Sequence, residues 1–236
     1  MNFLDSRLLS LDFIALDWNP IIKSAIDIYS LIYGKRFKSL EKLPQLPKKL
    51  VSHIEALQKQ SLPISNEHFL TIENNKSYTN SFKNPTKIIY ARGELDLATV
   101  KLSGNIIIRS DTKIIIAASS SLRDVILIAP KVVIEGNTKG SFQVIASKNI
   151  SVGKNCDLMY PSALVINTED DTETDLSQED KKNIFIDEDT TVKGMICYLQ
   201  DNTTNTFEPQ LIFAKNTNIY GVVYCEQQLE LLGTLH

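Results

Sequence analysis

Apolar residues recur at helical intervals in the first part of the chain and gather into short runs in the rest. Ile22, Ile26, Tyr29 and Tyr33 follow Asn19-Pro20 at spacings of four, three and four. Asn19 is a capping residue, and the Pro20 ring suits the first helical position. Gly34 supplies the stop. The apolar face of this helix reads as core. "LEKLPQLPKKL" holds two prolines three apart and predicts an extended connector. A second helix is predicted from about Lys48 to Gln60, with Val51, Ile54 and Leu57 on one face and Pro63 beyond its end. Ser65 to Pro85 is polar and rich in Asn and Ser, which predicts mostly loop with a short strand near Phe69 to Ile72.

From about Thr86 the pattern shortens. "KIIYAR", "GNIIIRS", "TKIIIAA", "DVILIA", "KVVIEG", "FQVIAS" and "NISVGK" each hold a few β-branched or aliphatic residues, with Gly, Asn, Ser or Lys between them. Runs so short do not build a conventional sandwich with clean alternation. They suit a solenoid, in which each coil adds short strands to parallel stacks and points aliphatic side chains inward at every level.

Two internal repeats support the solenoid. "VILIAPKVVIEGNTKG" from Val125 and "VIASKNISVGKN" from Val144 align at an offset of 17. That offset sets Ala129 over Ala146, Lys131 over Lys148, Val133 over Ile150 and Gly136 over Gly153. "IFIDEDTTVKGMICY" from Ile184 and "LIFAKNTNIYGVVYC" from Leu211 align at an offset of 27. Here Ile186 falls over Phe213, Thr190 over Thr217, Val192 over Ile219 and Gly194 over Gly221. The longer period contains an excursion, Leu199 to Gln210, which reads as a loop between coils. Gly and Asn suit the corners because both tolerate positive φ. Between the repeats, "TEDDTETDLSQEDKK" (168–182) has seven acids in 15 residues and reads as an exposed, solvated loop.

The fold expected is therefore all-β, a right-handed parallel β-helix over 86–236 with an acidic insertion at 168–182. Residues 1–85 form a small, partly helical region that caps or flanks it.

Composition narrows the function classes. With 236 residues and 43% hydrophobic content, a sizeable core is feasible. A net charge of -3 argues against a general nucleic-acid binder, which needs a basic face to displace counterions. "MNFLDSRLLSLDFIALDWNP" has no basic region ahead of its apolar stretch and is broken by Asp5, Asp12 and Asp17, unlike a signal peptide. No run of roughly 18 apolar residues exists to span a membrane. Cys156, Cys197 and Cys225 are widely spaced and read as small buried hydrophobes rather than a disulfide framework, with a single bridge left open.

Candidate chemistry is thin. Asp171, Glu173 and Asp175 have the alternate spacing of a calcium loop, but Leu176 stands where the turn needs Gly and Lys182 where a bidentate Glu belongs. His53, His68 and His236 are scattered, with no cysteine near any of them, so no zinc set forms. The nucleophile-elbow, P-loop and dinucleotide glycine motifs are absent from the sequence. Asn75, Asn149 and Asn202 begin glycosylation tripeptides, which read as chance matches. Glycan cleavage requires two carboxylates facing one bond. Glu135 and Asp157, then Asp187, Glu188 and Asp189, are the nearest acids, and the 17-residue offset sets Glu135 over Val152 rather than over an acid. Tyr160, Tyr198, Tyr220 and Tyr224 are the candidate aromatics for a glycan surface. The offset of 27 puts Tyr220 over Lys193 and Tyr224 over Cys197, so the tyrosines do not stack. No catalytic residue, cofactor or metal ligand is assigned.

"NIYGVVYCEQQLELLGTLH", with Gly221, Val222, Val223, Leu231, Leu232 and Gly233, is similar to the coils of bactofilins and related polymer-forming β-solenoids. "LEKLPQLPKKL", the stretch from Ser121 to Ile166 and "GVVYC" together resemble an uncharacterised family of bacterial envelope proteins, pseudopilin-associated in type. That resemblance implies a membrane-anchored N-terminus, an outward-facing solenoid and a further strand after the last coil. It implies a non-catalytic structural or assembly protein of the cell envelope, periplasmic or at the cell surface. Its partners would be further copies of itself or other envelope proteins. The missing signal peptide leaves the cytoplasm open as well. The alternative is a β-helix that binds or cleaves polysaccharide.

Overall fold

The computed structural model describes residues 46–59, 72, 75–168, 182–199 and 208–233, and the backbone of 13–15. The expected helix at 20–34 and the strand at 69–71 lie outside these residues, as do 169–181 of the acidic loop and most of the excursion after Leu199. The described chain is mostly strand, wound into a parallel β-solenoid whose three faces are each a ladder of parallel strands.

The first ladder runs through β2 (Ser77–Asn80), β5 (Lys101–Gly104), β8 (Ser121–Ile134), β9 (Lys139–Val152), β10 (Asp157–Asn167), β12 (Thr191–Leu199) and β14 (Asn218–Cys225). The second ladder begins with β3 (Lys87–Ala91) and β6 (Ile106–Ser110) and continues along the middles of β8 and β9 and the later halves of β10, β12 and β14. β1 (Phe13–Ala15) adds a parallel strand beyond β14, pairing with Val223–Cys225. The third ladder holds β4 (Leu95–Asp96), β7 (Lys113–Ile116), the ends of β8 and β9, β11 (Asn183–Ile186), β13 (Leu211–Phe213) and β15 (Leu229–Leu231). Parallel pairing starts at Ser77, ahead of Thr86 and inside the stretch expected to be loop.

Aliphatic side chains fill the interior in columns. On the second ladder the column is Ile89, Ile108, Leu127, Val144, Leu164, Ile196 and Val223, paired rung on rung and all buried. Burying one such side chain contributes about 1.5–3 kcal/mol, so seven stacked levels make each ladder hard to break at one point. Gly140 interrupts the column of the first ladder, between Leu122 and Leu158. The Phe142 ring lies 3.0 Å from where a Gly140 side chain would begin, and fills that level instead. Gly194 and Gly221 stack at φ +148 and +154, each so close to the rung before it that a Cβ would overlap a carbonyl oxygen. Only glycine fits both the conformation and the approach.

The corner between the third and first ladders repeats one turn. Asn137, Asn155, Asp189 and Asn216 all take positive φ, and each precedes a small polar residue: Thr138, Cys156, Thr190 or Thr217. The hydroxyls of Thr138 and Thr217 donate to the carbonyls three residues back, Glu135 at 2.6 Å and Ala214 at 2.8 Å. The expected use of Asn at corners is thus what the chain does. Asn and Asp enter the left-handed region more readily than β-branched residues, although Thr99 takes φ 56 at the same corner of an earlier coil.

The 27-residue register holds as expected: Ile186 pairs with Phe213, Val192 with Ile219 and Gly194 with Gly221. The 17-residue register holds only on the second ladder, where Leu127 pairs with Val144 and Ala129 with Ala146. On the third ladder the offset is 18: Lys131 pairs with Asn149, Val132 with Ile150 and Val133 with Ser151. β9 carries two residues, Ser147 and Lys148, where β8 has Pro130 alone. Val133 therefore points outward beside Ser151, and Glu135 sits level with Gly153 rather than Val152.

Candidate functional site

One outward face is roofed by the chain itself. Helix α1 (Lys48–Lys59) forms as expected and lays its apolar side on the outside of the second ladder. Ile54 is buried against a cluster of Ile107, Ile128, Ile145, Val165 and Cys197, and Leu50, Val51 and Leu57 pack at its margin. Arg109 anchors the helix end, donating to the carbonyls of Leu57 at 3.2 Å and Gln58 at 2.5 Å. Those carbonyls have no partner within the helix, and a cation there also suits the helix dipole. The Gln58 side-chain amide donates to the Asn167 backbone carbonyl at 3.2 Å, and the Asn167 amide donates to the Gln58 side-chain oxygen at 2.5 Å across the same junction. This region flanks the solenoid along one face.

The three cysteines are free and buried, as small hydrophobes. Burial pushes the Cys197 thiol up to about 12 and the Cys225 thiol up to about 11. None is a thiolate near neutral pH, so none is poised as a nucleophile.

The acids singled out by sequence do not converge across a cleft. Glu135 and Glu188 lie on the third-to-first corner, and Lys154 and Lys215 occupy the same corner in neighbouring coils. Lys154 bridges to Glu188 at 2.8 Å, and Asn216 donates to Asp189 at 2.9 Å. These contacts tie rungs together along the axis. Asp157 heads β10 level with Lys139 and Thr191, with one carboxylate oxygen buried and lacking a hydrogen-bond partner among the described residues. His53 is exposed on α1, while His68 and His236 lie outside the described residues, as do Asp171, Glu173, Asp175 and Leu176. Lys182 accepts a hydrogen bond on its carbonyl from the Tyr198 hydroxyl. Among the described residues no group of three His, Cys, Asp or Glu side chains is arranged to hold a metal. No helix among them is long and apolar enough to cross a membrane. Asn149, the described tripeptide asparagine within a strand, spends its side-chain amide on Asn183.

The tyrosines separate into two pairs. Tyr198 is in the core, and Tyr224 lies under α1 with its hydroxyl on Glu226. Burial raises the pKa of both phenols. Tyr160 and Tyr220 are exposed, 78% and 63%, on the corner between the first and second ladders. Tyr220 pairs with Lys193, as the offset of 27 predicts. Tyr160 belongs to the preceding coil, where Met159, Tyr160 and Pro161 bulge outward between Leu158 and Ser162. Lys193 thus sits level between two exposed tyrosines, its ammonium 3.6 Å from the Met159 sulfur. A length difference between coils created this arrangement, and single-offset alignment could not display it.

The second candidate surface is the C-terminal end. β15 pairs with β13 on one side and with no described strand on the other. Leu231 and Leu232 are exposed there at 40% and 44%. On the second ladder the corresponding edge is taken by β1. At the opposite end, β2, β3 and β4 each have a single described neighbour.

These features define a protein of the parallel β-solenoid class. No family model, curated protein or solved structure matches the chain.

Proposed function

We propose that this is a non-catalytic structural protein that assembles by stacking its solenoid end to end. The edge of β15, unpaired among the described strands and with Leu231 and Leu232 exposed beside it, is the observation that carries this reading. An edge strand offers a row of unpaired N–H and C=O groups, a template for another chain. The edges of β2, β3 and β4 at the other end offer the complementary set, and joining unlike ends generates an open filament. The coils wind right-handed, the sense of ~98% of parallel crossovers. The bactofilin-like C-terminal coil is in keeping with polymer formation, and the cell envelope is the compartment that likeness suggests.

Sedimentation velocity of the full chain over a wide concentration range tests the reading. Reversible species that grow with concentration are expected, and Leu231→Lys with Leu232→Lys should return them to monomer. A monomer at every concentration and ionic strength sinks it.

A further inference from the structure

The outer face of the first ladder carries several cations and, at its edge, two exposed tyrosines. Two outward columns run along it. One carries Lys101, Ser121, Lys139, Asp157, Thr191 and Asn218. The other carries Ser103, Arg123, Ser141, Lys193 and Tyr220, with the bulge at Tyr160 inserted before Lys193. Lys101, Arg123, Lys139 and Lys193 stand against Asp157 and against Asp124, which lies 3.7 Å from Arg123. Four cations over two acids make this face locally basic in a chain of net charge -3.

We propose that this face binds a linear anionic polysaccharide laid along the solenoid axis and seated on Tyr160 and Tyr220 with Lys193 between them. Rungs repeat at about 4.8 Å, which puts the two tyrosine positions about 10 Å apart along the axis. A sugar ring can rest on each tyrosine and leave an intervening ring, with its acidic group, over Lys193. Lys193 is half-buried, whereas Tyr160 and Tyr220 are 78% and 63% exposed on either side of it. Its ammonium already lies 3.6 Å from the Met159 sulfur, which holds it at this corner. Lys101, Arg123 and Lys139 continue the positive potential down the same face, where a long polymer would lie and a short ligand would not reach. Single-stranded nucleic acid also combines stacking with charge, but it stacks on closely following aromatics. Here the rung between the tyrosines presents Lys193. This site is independent of end-to-end assembly, and either can fail alone.

Native electrophoresis of the full chain through gels containing polygalacturonate, hydroxyethyl cellulose or no polymer is the test, with poly(dT) as competitor. Polygalacturonate should retard the chain. Tyr160→Ala with Tyr220→Ala should weaken that binding about tenfold or more, with no change in melting temperature because both rings are exposed. Lys193→Gln should weaken binding to polygalacturonate and leave any retardation by hydroxyethyl cellulose unchanged. The proposal is overturned if polygalacturonate does not retard the chain. It is equally overturned if the double tyrosine variant binds as tightly as the parent, or if poly(dT) displaces the polysaccharide and binds more tightly.

Discussion

The outer faces of the second and third ladders are built from similar residues and have opposite fates. On the second ladder, Ile107, Ile128, Ile145 and Val165 point outward and are buried, because α1 lies over them. On the third, Ile115, Val133, Phe185 and Ile212 occupy the outward column and are only half-buried. Strand sequence does not separate the two. Both are short aliphatic runs in which inward and outward positions are apolar alike. The separation comes from a cover supplied far away in the chain and held by a few polar contacts, Arg109 at the helix carbonyls and Gln58 with Asn167. An apolar outward column is therefore no sign of core in a solenoid; what lies on it decides.

That contrast can be broken most sharply by an equal charge on each face. Val165→Asp puts a carboxylate into the apolar cluster beneath α1, and should cost about 3 kcal/mol or more. Val133→Asp on the third ladder should cost no more than about 1 kcal/mol, since the group keeps its water. Urea midpoints of the two variants decide, and equal losses would mean that the third face is covered as well. Next in size is Ile54→Ala, which removes the buried anchor of the helix and leaves a cavity, at about 2–4 kcal/mol. The strand signal in circular dichroism should persist while the midpoint falls. A loss below about 0.5 kcal/mol would show that the helix contributes little to the second face.

The smallest effect is alkaline. Burial beneath α1 raises the Cys197 thiol from 9.0 to about 12. The folded value lies above the unfolded one, so the stabilisation is complete below about pH 9 and is lost as pH rises from there toward 12. Stability should be level between pH 7 and 8.5, then fall by an amount on the order of 1 kcal/mol between pH 9 and 10. Cys197→Ala should lessen that fall. An unchanged alkaline profile in the variant would place Cys197 in water rather than under the helix.

How much of this was legible depended on coil length. Where the period stayed constant, as in the 27-residue repeat, every pairing from Ile186–Phe213 to Tyr224–Cys197 could be read from the letters. Where it did not, facing assignments failed. Asp124 is one residue extra in β8, at positive φ, and the Ser147-Lys148 pair is one extra in β9. The two insertions fall at different corners and nearly cancel, so the flanking letters still look aligned at 17. Side chains alternate faces at every residue, and a slip of one turned Val133 and Glu135 to the wrong partners. The same blindness hid the Tyr160–Lys193–Tyr220 corner, because the bulge at Met159–Pro161 has no counterpart in the coil that follows.

By itself the sequence determined the local elements. Short aliphatic runs, asparagines before corner threonines and paired glycines at Gly194 and Gly221 demand stacked parallel coils, since no other arrangement buries such runs and permits such close rungs. It determined the helix at Lys48–Lys59 too, through spacing and the prolines beside it. Only the tertiary structure decided which ladder that helix covers, which aliphatic columns stay half-exposed, and which residues of coils of unequal length meet on one corner. Those outcomes rest on contacts between residues far apart in the chain and on one-residue insertions at corners, and neither leaves a periodic trace in the letters.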